Sequence, residues 1–384
     1  MKSLKLGIYF DGFNKDHVYK DPGLLYLGLK EKGIEVSLIT LKKKELKGIN
    51  HSFDLIQIDN PIDLEVFENF DAFIVYSWLS VKYNKLIKTL KKLNKIVIIK
   101  SDSDGRIASF KGPKPRFRFT TYFRNPIYQI PVKFFKEFFL IGYYVDLLKV
   151  KQIDYADFLI IESPDAAQNL SYFLSIYKRT DLIKKINVIP NPVADDFINI
   201  DSNYNKENII ISVGRWDDII QKNTKLLIKT IIEFLKIKEN WEVILIGSGN
   251  NILKNLISKI PIEIQKRIHI LGVVNHEEIK RYLLKSKIFF LPSKFEGSPI
   301  SVAEALCCGC TILGTPIESL RFFSMCGFSG NTASSFNIAS MIGSLIYEAE
   351  KHEKFKVEDY KRISEYWKNR LNKNKIADKY LDLL

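Results

Sequence analysis

Residues 290–309 read Phe290-Leu-Pro-Ser-Lys-Phe-Glu296-Gly-Ser-Pro-Ile-Ser-Val-Ala-Glu304-Ala-Leu-Cys-Cys-Gly309. The apolar run that ends at Leu291 predicts a buried parallel strand. Ser298 is a good N-cap residue, and Pro299 suits the first position of a helix because its missing N–H would have no partner there. Gly309 is typical of a helix end. The stretch therefore predicts a strand, a loop and a helix in succession.

The loop and the helix of this stretch each carry one glutamate. Glu296-Gly297 falls at the carboxyl end of the predicted strand, where open α/β sheets bind ligands. The backbone N–H groups within Ser298 to Ile300, where Pro299 itself has none, would face the same loop with the positive end of the helix dipole, which suits a diphosphate. One ligand could then contact Glu296 before the helix and Glu304 inside it. The alternative is a capping segment whose glutamates form surface ion pairs.

A second polar loop follows an earlier strand and reads Val213-Gly-Arg215-Trp-Asp-Asp-Ile-Ile-Gln-Lys222-Asn223. Arg215 offers a planar fork for phosphate oxygens, and Lys222 offers a point charge. Such fixed cations stabilise a departing nucleoside diphosphate without a metal ion. The alternative is a weak surface ion pair with Asp217 or Asp218.

Both halves of the chain alternate strands and helices, which predicts α/β architecture with two doubly wound parallel sheets. A polar stretch without periodicity, Asp201 to Glu207, suggests the hinge between them. We predict a first domain over 1–198, a second over 199–360 and a terminal helical segment over 361–384. The strand predictions are Leu4–Phe10, Ile34–Thr40, Ala72–Tyr76, Ile96–Ile99, Phe158–Ile161, a short strand ended by prolines in Asn187–Val193, Ile209–Val213, Val243–Ile246, Ile268–Leu271, Ile288–Leu291 and Thr311–Leu313.

From the predicted strand onward, the residues follow the order strand, Pro-Ser, Glu-Gly-Ser-Pro, Glu-Ala-Leu, Gly, strand, Gly-Thr-Pro316. This order resembles the donor-site signature of the family-four retaining glycosyltransferases, also called glycosyl transferases group 1. The resemblance implies the GT-B fold, with two Rossmann-like domains facing across a cleft and a terminal helix that returns to the first domain. It also implies that Glu296 contacts the donor sugar, that Glu304 holds the ribose, and that Arg215 and Lys222 hold the diphosphate. The implied donor is a UDP- or GDP-linked sugar, and we expect no metal ion.

Other positions match the family only in part. Gly12 lies where relatives carry a glycine-rich loop, although it is equally typical of a simple turn. Gly214, Gly247 and Val273 match the family's donor-domain loops and the surroundings of the base. Many relatives carry a histidine after the fourth strand, but here Asp102 and Asp104 occupy that region. Either could take the polar role, or the pair could form an Asx-type turn.

The composition indicates a globular protein with an anionic partner. The formal net charge is +14, and hydrophobic residues make up 46% of 384 positions. Such a charge suits nucleotides, nucleic acid or an acidic membrane face. No signal peptide opens the sequence, so we expect a cytoplasmic protein. Four cysteines, three of them at 307, 308 and 310, are expected to be small buried thiols.

Residues 110–139 hold ten aromatic side chains and seven Lys or Arg against one acidic residue. Clusters of cations and rings suit a membrane interface or a lipid-linked acceptor, with the protein peripheral on the inner face. The alternatives are a segment that covers the core of the first domain and a surface on which single-stranded nucleic acid stacks.

Together these patterns and the resemblance predict a metal-independent hexosyltransferase that acts on a lipid-linked or growing glycan, and the resemblance alone implies that the transfer retains the anomeric configuration. Its predicted role is the synthesis of a cell-surface polysaccharide or glycolipid. The alternatives are a sugar phosphorylase or nucleotide-sugar epimerase on the same fold and, from another class, a basic nucleic-acid-binding protein.

Overall fold

The computed structural model describes residues 4–41, 53–107, 140–200 and 205–384. The basic aromatic segment 110–139 lies outside these residues. The chain divides into two compact units: Met1–Ala194 with Asn372–Leu384, and Asp195–Leu371. Each unit contains one wholly parallel sheet among its described residues.

The first unit is built on a seven-stranded sheet with the order β3-β2-β1-β4-β5-β6-β7. Its strands are β1 Lys5–Tyr9, β2 Glu35–Thr40, β3 Leu55–Gln57, β4 Ala72–Tyr76, β5 Ile96–Lys100, β6 Phe158–Ile161 and β7 Ile186–Val188. Its helices are α1 Asp21–Glu31, α2 Leu64–Glu68, α3 Asn84–Lys92, α4 Leu140–Tyr155 and α5 Pro164–Ile176. The middle strands are nearly all buried, because helices cover both faces.

The second unit is built on a six-stranded sheet with the order β10-β9-β8-β11-β12-β13. Its strands are β8 Glu207–Val213, β9 Glu242–Ile246, β10 Ile268–Gly272, β11 Ser286–Leu291, β12 Thr311–Gly314 and β13 Gly330–Thr332. Its helices are α6 Asp195–Ile198, α7 Thr224–Ile237, α8 Asn250–Ile257, α9 Ile262–Gln265, α10 His276–Lys285, α11 Ile300–Cys307, α12 Glu318–Ser324, α13 Ile338–Glu353 and α14 Val357–Leu371. In both sheets the strand order reverses beside the first strand, which creates the switch point where α/β sheets bind ligands.

The end of the chain forms two helices instead of the single terminal helix predicted over 361–384. α14 ends at Leu371, and α15, Lys373–Leu381, begins after Asn372, whose side chain accepts a hydrogen bond from the Asn374 N–H. This side-chain cap favours a new helix start over continuation of α14. In the first unit α15 packs on α1, and Lys373 there forms a 3.0 Å ion pair with Glu31.

The cysteine prediction is confirmed for three positions. Cys307, Cys308 and Cys310 are buried free thiols at the end of α11 and the start of β12. Burial raises the pKa of all three thiols. These cysteines therefore stay protonated and serve as small core residues.

Candidate active site

The two polar loops predicted from the sequence meet at the carboxyl edge of the second sheet. β8 pairs directly with β11, so the loops that follow these strands emerge side by side. The Lys222 ammonium lies 2.6 Å from Oε1 of Glu296, and both side chains are about a tenth exposed. The structure thus brings together one cation and one carboxylate that lie 74 positions apart in the chain.

Gln221 fixes the same contact from a second direction, a role that the sequence analysis missed. Its side-chain amide lies 3.3 Å from Oε2 of Glu296 and 3.3 Å from the Phe295 carbonyl. Its own carbonyl accepts a hydrogen bond from the Lys294 N–H at 2.8 Å. The carboxylate of Glu296 is therefore held at both oxygens, which fixes its orientation. The signal available in the sequence was an amide side chain beside Lys222.

Arg215 is placed differently from Lys222. Its side chain is 67% exposed, and its guanidinium lies 4.0 Å from Asp218. This long, exposed contact is the weak surface ion pair that we considered as the alternative, and such pairs restrain a side chain little. Arg215 therefore remains available to an anionic ligand at this edge of the sheet.

Glycines allow the loops of this edge to approach one another. Gly247 has φ +129, and a Cβ at this position would lie 1.7 Å from the Gly214 carbonyl oxygen. The Gly214 N–H donates a hydrogen bond to the Ile246 carbonyl, and the Gly247 N–H donates one to the Gly272 carbonyl. The loops after β8, β9 and β10 are therefore connected. Val273 follows directly and is 79% exposed. The three loops thus form one surface beside the Lys222–Glu296 pair.

The helix that follows Glu296 begins one residue later than predicted. Pro299, with φ −70 and ψ 108, is the N-cap residue of α11, and its carbonyl accepts from the N–H groups of Val302 and Ala303. Ser298 is therefore not the N-cap, because the extended ψ of Pro299 keeps that residue outside the helix. The N–H groups of Ile300 and Ser301 open the helix without partners inside it, so the anion-binding groups are displaced by one position toward the C-terminus.

Glu304 lies inside α11 and is 5% exposed. Its carboxyl forms no hydrogen bond or ion pair with another described residue. Burial raises the pKa of this carboxyl to about 8, so it is largely protonated at neutral pH. A buried carboxyl without a protein partner is costly, and the hydroxyls of a ligand are the kind of group that would satisfy it.

The predicted residues of the first unit occupy the carboxyl edge of their own sheet. Gly12 has φ +80, and its N–H donates to the Thr40 hydroxyl at 3.0 Å, as a turn glycine does. Oδ1 of Asp104 accepts from the Arg106 N–H at 3.2 Å, which is the Asx-type turn that we considered. Asp102 is exposed. Of the two aspartates, Asp102 has the position expected of a ligand contact.

A buried ionic network that the sequence did not indicate lies below this edge. Lys100, fully buried at the end of β5, lies 2.9 Å from Glu162, 3.8 Å from Asp21 and 2.7 Å from the Asn191 amide oxygen. Burial raises the pKa of the Glu162 carboxyl to about 8. The network connects α1, β5 and the segments after β6 and β7, and it thereby fixes the backbone at this edge of the sheet.

Comparison with known proteins agrees with this geometry. The model of the family described as "Glycosyl transferases group 1" matches residues 194–370. A Campylobacter jejuni enzyme named as an α-1,4-N-acetyl-D-galactosaminyltransferase acting on an undecaprenol-diphosphate-linked saccharide is 30% identical over 126 residues. That alignment covers 32% of this chain and 33% of the relative. The matches span between 29% and 41% of the length of the curated relatives.

Solved structures of the same fold cover almost the whole chain. The Anabaena protein HepE in complex with UDP superposes with a TM-score of 0.69 at 11% identity, over 99% of this chain and 98% of that one. WaaG, described as a glycosyltransferase involved in lipopolysaccharide biosynthesis, gives a TM-score of 0.62 at 11% identity, over 99% of both chains. With the two parallel sheets, these likenesses confirm the predicted two-domain GT-B fold.

Proposed function

We propose that this chain, whose residues 194–370 match the model of the glycosyl transferases group 1 family, transfers a hexose from a nucleotide-diphosphate sugar to a lipid-linked or growing glycan. The observation that carries the proposal is the Lys222–Glu296 pair at the carboxyl edge of the second sheet, beside the first turn of α11. The names of the Campylobacter relative and of the UDP-bound neighbour support the acceptor class and the donor class, respectively.

The donor diphosphate is proposed to lie between Arg215, Lys222 and the first N–H groups of α11. Exposed Arg215 can turn toward the phosphates, and Lys222 needs only to shift from Glu296 toward an oxygen of the diphosphate. As the bond from the anomeric carbon to the diphosphate breaks, negative charge builds on the leaving oxygen. Once placed against the diphosphate, these positive groups stabilise that charge in the transition state.

Glu296 is proposed to contact the donor sugar, and Glu304 the ribose hydroxyls. The acceptor hydroxyl oxygen forms the new bond to the anomeric carbon, and its proton leaves with the departing diphosphate or to solvent. Retention of configuration, independence of metal and a UDP- or GDP-linked donor belong to the proposal, as does a peripheral position on the inner face of a membrane. No helix among the described residues is both long and apolar enough to cross a bilayer.

A thermal-shift panel of uridine, guanosine and adenosine diphosphates, with EDTA present, tests the donor site. We expect one diphosphate to raise the unfolding midpoint, because a ligand that binds only the folded state stabilises it. Arg215→Gln and Lys222→Met should each reduce the shift, whereas Arg281→Gln, an exposed change on α10, should leave it intact. A flat response to every nucleotide, with and without magnesium, would contradict the proposal. A shift that appears only with magnesium would contradict independence of metal.

A further inference from the structure

Trp78 occupies an unusual position at the carboxyl end of β4 in the first unit. Ser77 and Trp78 follow the strand directly, and their N–H groups both donate to the Lys100 carbonyl of neighbouring β5, at 3.2 and 3.4 Å. Tyr76 and Lys100 are register partners in the two strands. Trp78 and Asp102, each two residues beyond that pair, therefore lie at the same edge of the sheet.

The backbone there adopts a conformation that side chains disfavour. Trp78 has φ +48 and Leu79 has φ +52, so two successive residues other than glycine lie in the left-handed region. The surroundings impose this conformation. Leu79 is 1% exposed, and its N–H donates a hydrogen bond to the Ser77 hydroxyl. That hydroxyl donates to the side-chain carbonyl of Gln152 at 2.8 Å. Strain of this kind persists where a neighbouring group must be presented in a fixed place.

The group presented is the indole ring. The chain has four tryptophans, and Trp216, Trp241 and Trp367 are at most 3% exposed, whereas Trp78 is 39% exposed. The ring centroid of Trp78 lies 5.5 Å from that of Phe10 and 6.3 Å from that of Tyr76, so aromatic neighbours support it. Its indole N–H forms no hydrogen bond with another described residue.

We propose that Trp78 is a carbohydrate subsite, a platform on which a pyranose ring of the acceptor glycan stacks. This inference rests on the proposed transferase function. A pyranose has an apolar C–H face and a polar rim, and a rigid, partly exposed indole offers a flat apolar surface with a donor at its edge. Asp102, exposed at the same edge, can accept hydrogen bonds from sugar hydroxyls. The subsite therefore accounts for both the strained turn and the carboxylate beside it.

Tryptophan emission tests the subsite directly, because only Trp78 among the four indoles is substantially exposed. The probes are the methyl α-glycosides of glucose, galactose and N-acetylgalactosamine, with mannitol as a polyol that lacks a pyranose face. We expect a saturable emission change with at least one glycoside and none with mannitol, and the change should vanish in Trp78→Phe. Nucleotide-induced thermal shifts of the same sample report separately on the donor site. Nucleotide binding with no glycoside response would overturn the subsite and leave the proposed function standing.

A second pair of variants separates presentation of the ring from a structural role. Trp78→Gly removes the ring and relieves the left-handed backbone, so its thermal midpoint should be at or above that of Trp78→Ala. Both variants should raise the acceptor KM about 10-fold, the loss expected for one stacking contact, with donor KM unchanged. Tyr172→Ala, at an exposed ring on α5, should change neither constant. An unchanged acceptor KM in both Trp78 variants, or an emission response to lipid vesicles instead of glycosides, would overturn the assignment.

Discussion

At the scale of single residues, the two glutamates of the deciding stretch differ more than their spacing suggests. Glu296 is held at one oxygen by Lys222 and lies near Gln221 at the other, in a loop. Glu304 is buried in α11 with a raised pKa and no partner in the described part of the chain. A fixed, paired carboxylate suits a developing charge, whereas a buried, largely neutral carboxyl suits hydroxyl groups that it can hold before and during the reaction.

We expect substitutions of these glutamates to separate rate from binding. Glu296→Gln keeps the shape and removes the charge that is proposed to lie near the anomeric carbon, so kcat should fall at least 10-fold with little change in donor KM. Glu304→Gln should raise donor KM several-fold and leave kcat near wild type. Steady-state kinetics of transfer, or of donor hydrolysis without acceptor, measure both constants.

Glu263→Gln provides the control for both variants, because this side chain is exposed on α9 and, in the part of the chain that the structure describes, pairs only with neighbouring Lys266. It should leave both constants unchanged. The reverse pattern, with a large loss of rate at Glu304 and little effect at Glu296, would exchange the two roles.

The sequence predicted which residues form this site better than it predicted how they are held. Lys222 and Glu296 were identified because charged residues follow apolar runs at the carboxyl ends of predicted strands, and Gly214 and Gly247 were identified because they match the donor-domain loops of the family that the sequence resembles. The contact of Gln221 with Glu296 was missed, since it depends on the tertiary pairing of β8 with β11. The strained backbone at Trp78 was also missed. Tertiary packing imposes its dihedral angles, and the residue type does not indicate them.

At the scale of elements, the central strands and the edge strand β10 were predicted, whereas the short edge strands β3 and β13 were not. Ala72–Tyr76 and Phe158–Ile161 agree with β4 and β6 at both ends, because strands buried on both faces are continuous apolar runs. β3 and β13 were missed. Each has three residues at the edge of its sheet, and their partial exposure removes the apolar signal.

Gly247→Ala tests how the loops of the second unit are joined. The new Cβ would lie 1.7 Å from the Gly214 carbonyl oxygen, and φ +129 is unfavourable for alanine. We expect a loss of roughly 2–4 kcal/mol in unfolding free energy and loss of the nucleotide-induced thermal shift. Gly343→Ala, inside α13 with nothing within 4 Å of the added carbon, should instead stabilise by about 0.5–1 kcal/mol. Equal effects of the two changes would show that the close approach does not constrain the loops.

At the scale of the whole molecule, the net charge of +14 exceeds what one diphosphate requires. Lys222 is already paired with Glu296, and Lys100 is buried among carboxylates, so neither contributes much to the field at the surface. Segment 110–139 concentrates seven of the cations with ten aromatic rings, although it lies outside the described residues. The proposed lipid-carried acceptor would bring the chain to an anionic bilayer, and this segment is the part of the sequence most suited to meet it.

We therefore expect the purified chain to bind vesicles that contain anionic lipid and to leave them as salt rises, because screening shortens the reach of its charges. Co-sedimentation at increasing salt measures this.

Replacing the seven Lys and Arg of 110–139 by Gln should weaken binding about 100-fold or more at low salt, since each basic residue near an anionic surface contributes about 1 kcal/mol. Replacing seven exposed lysines elsewhere matches the loss of net charge without altering the segment. If both sets weaken binding equally, total charge alone drives association. Equal binding to neutral vesicles would indicate apolar docking by the aromatic rings instead, and no binding to either would favour the interpretation in which the segment covers the core of the first domain.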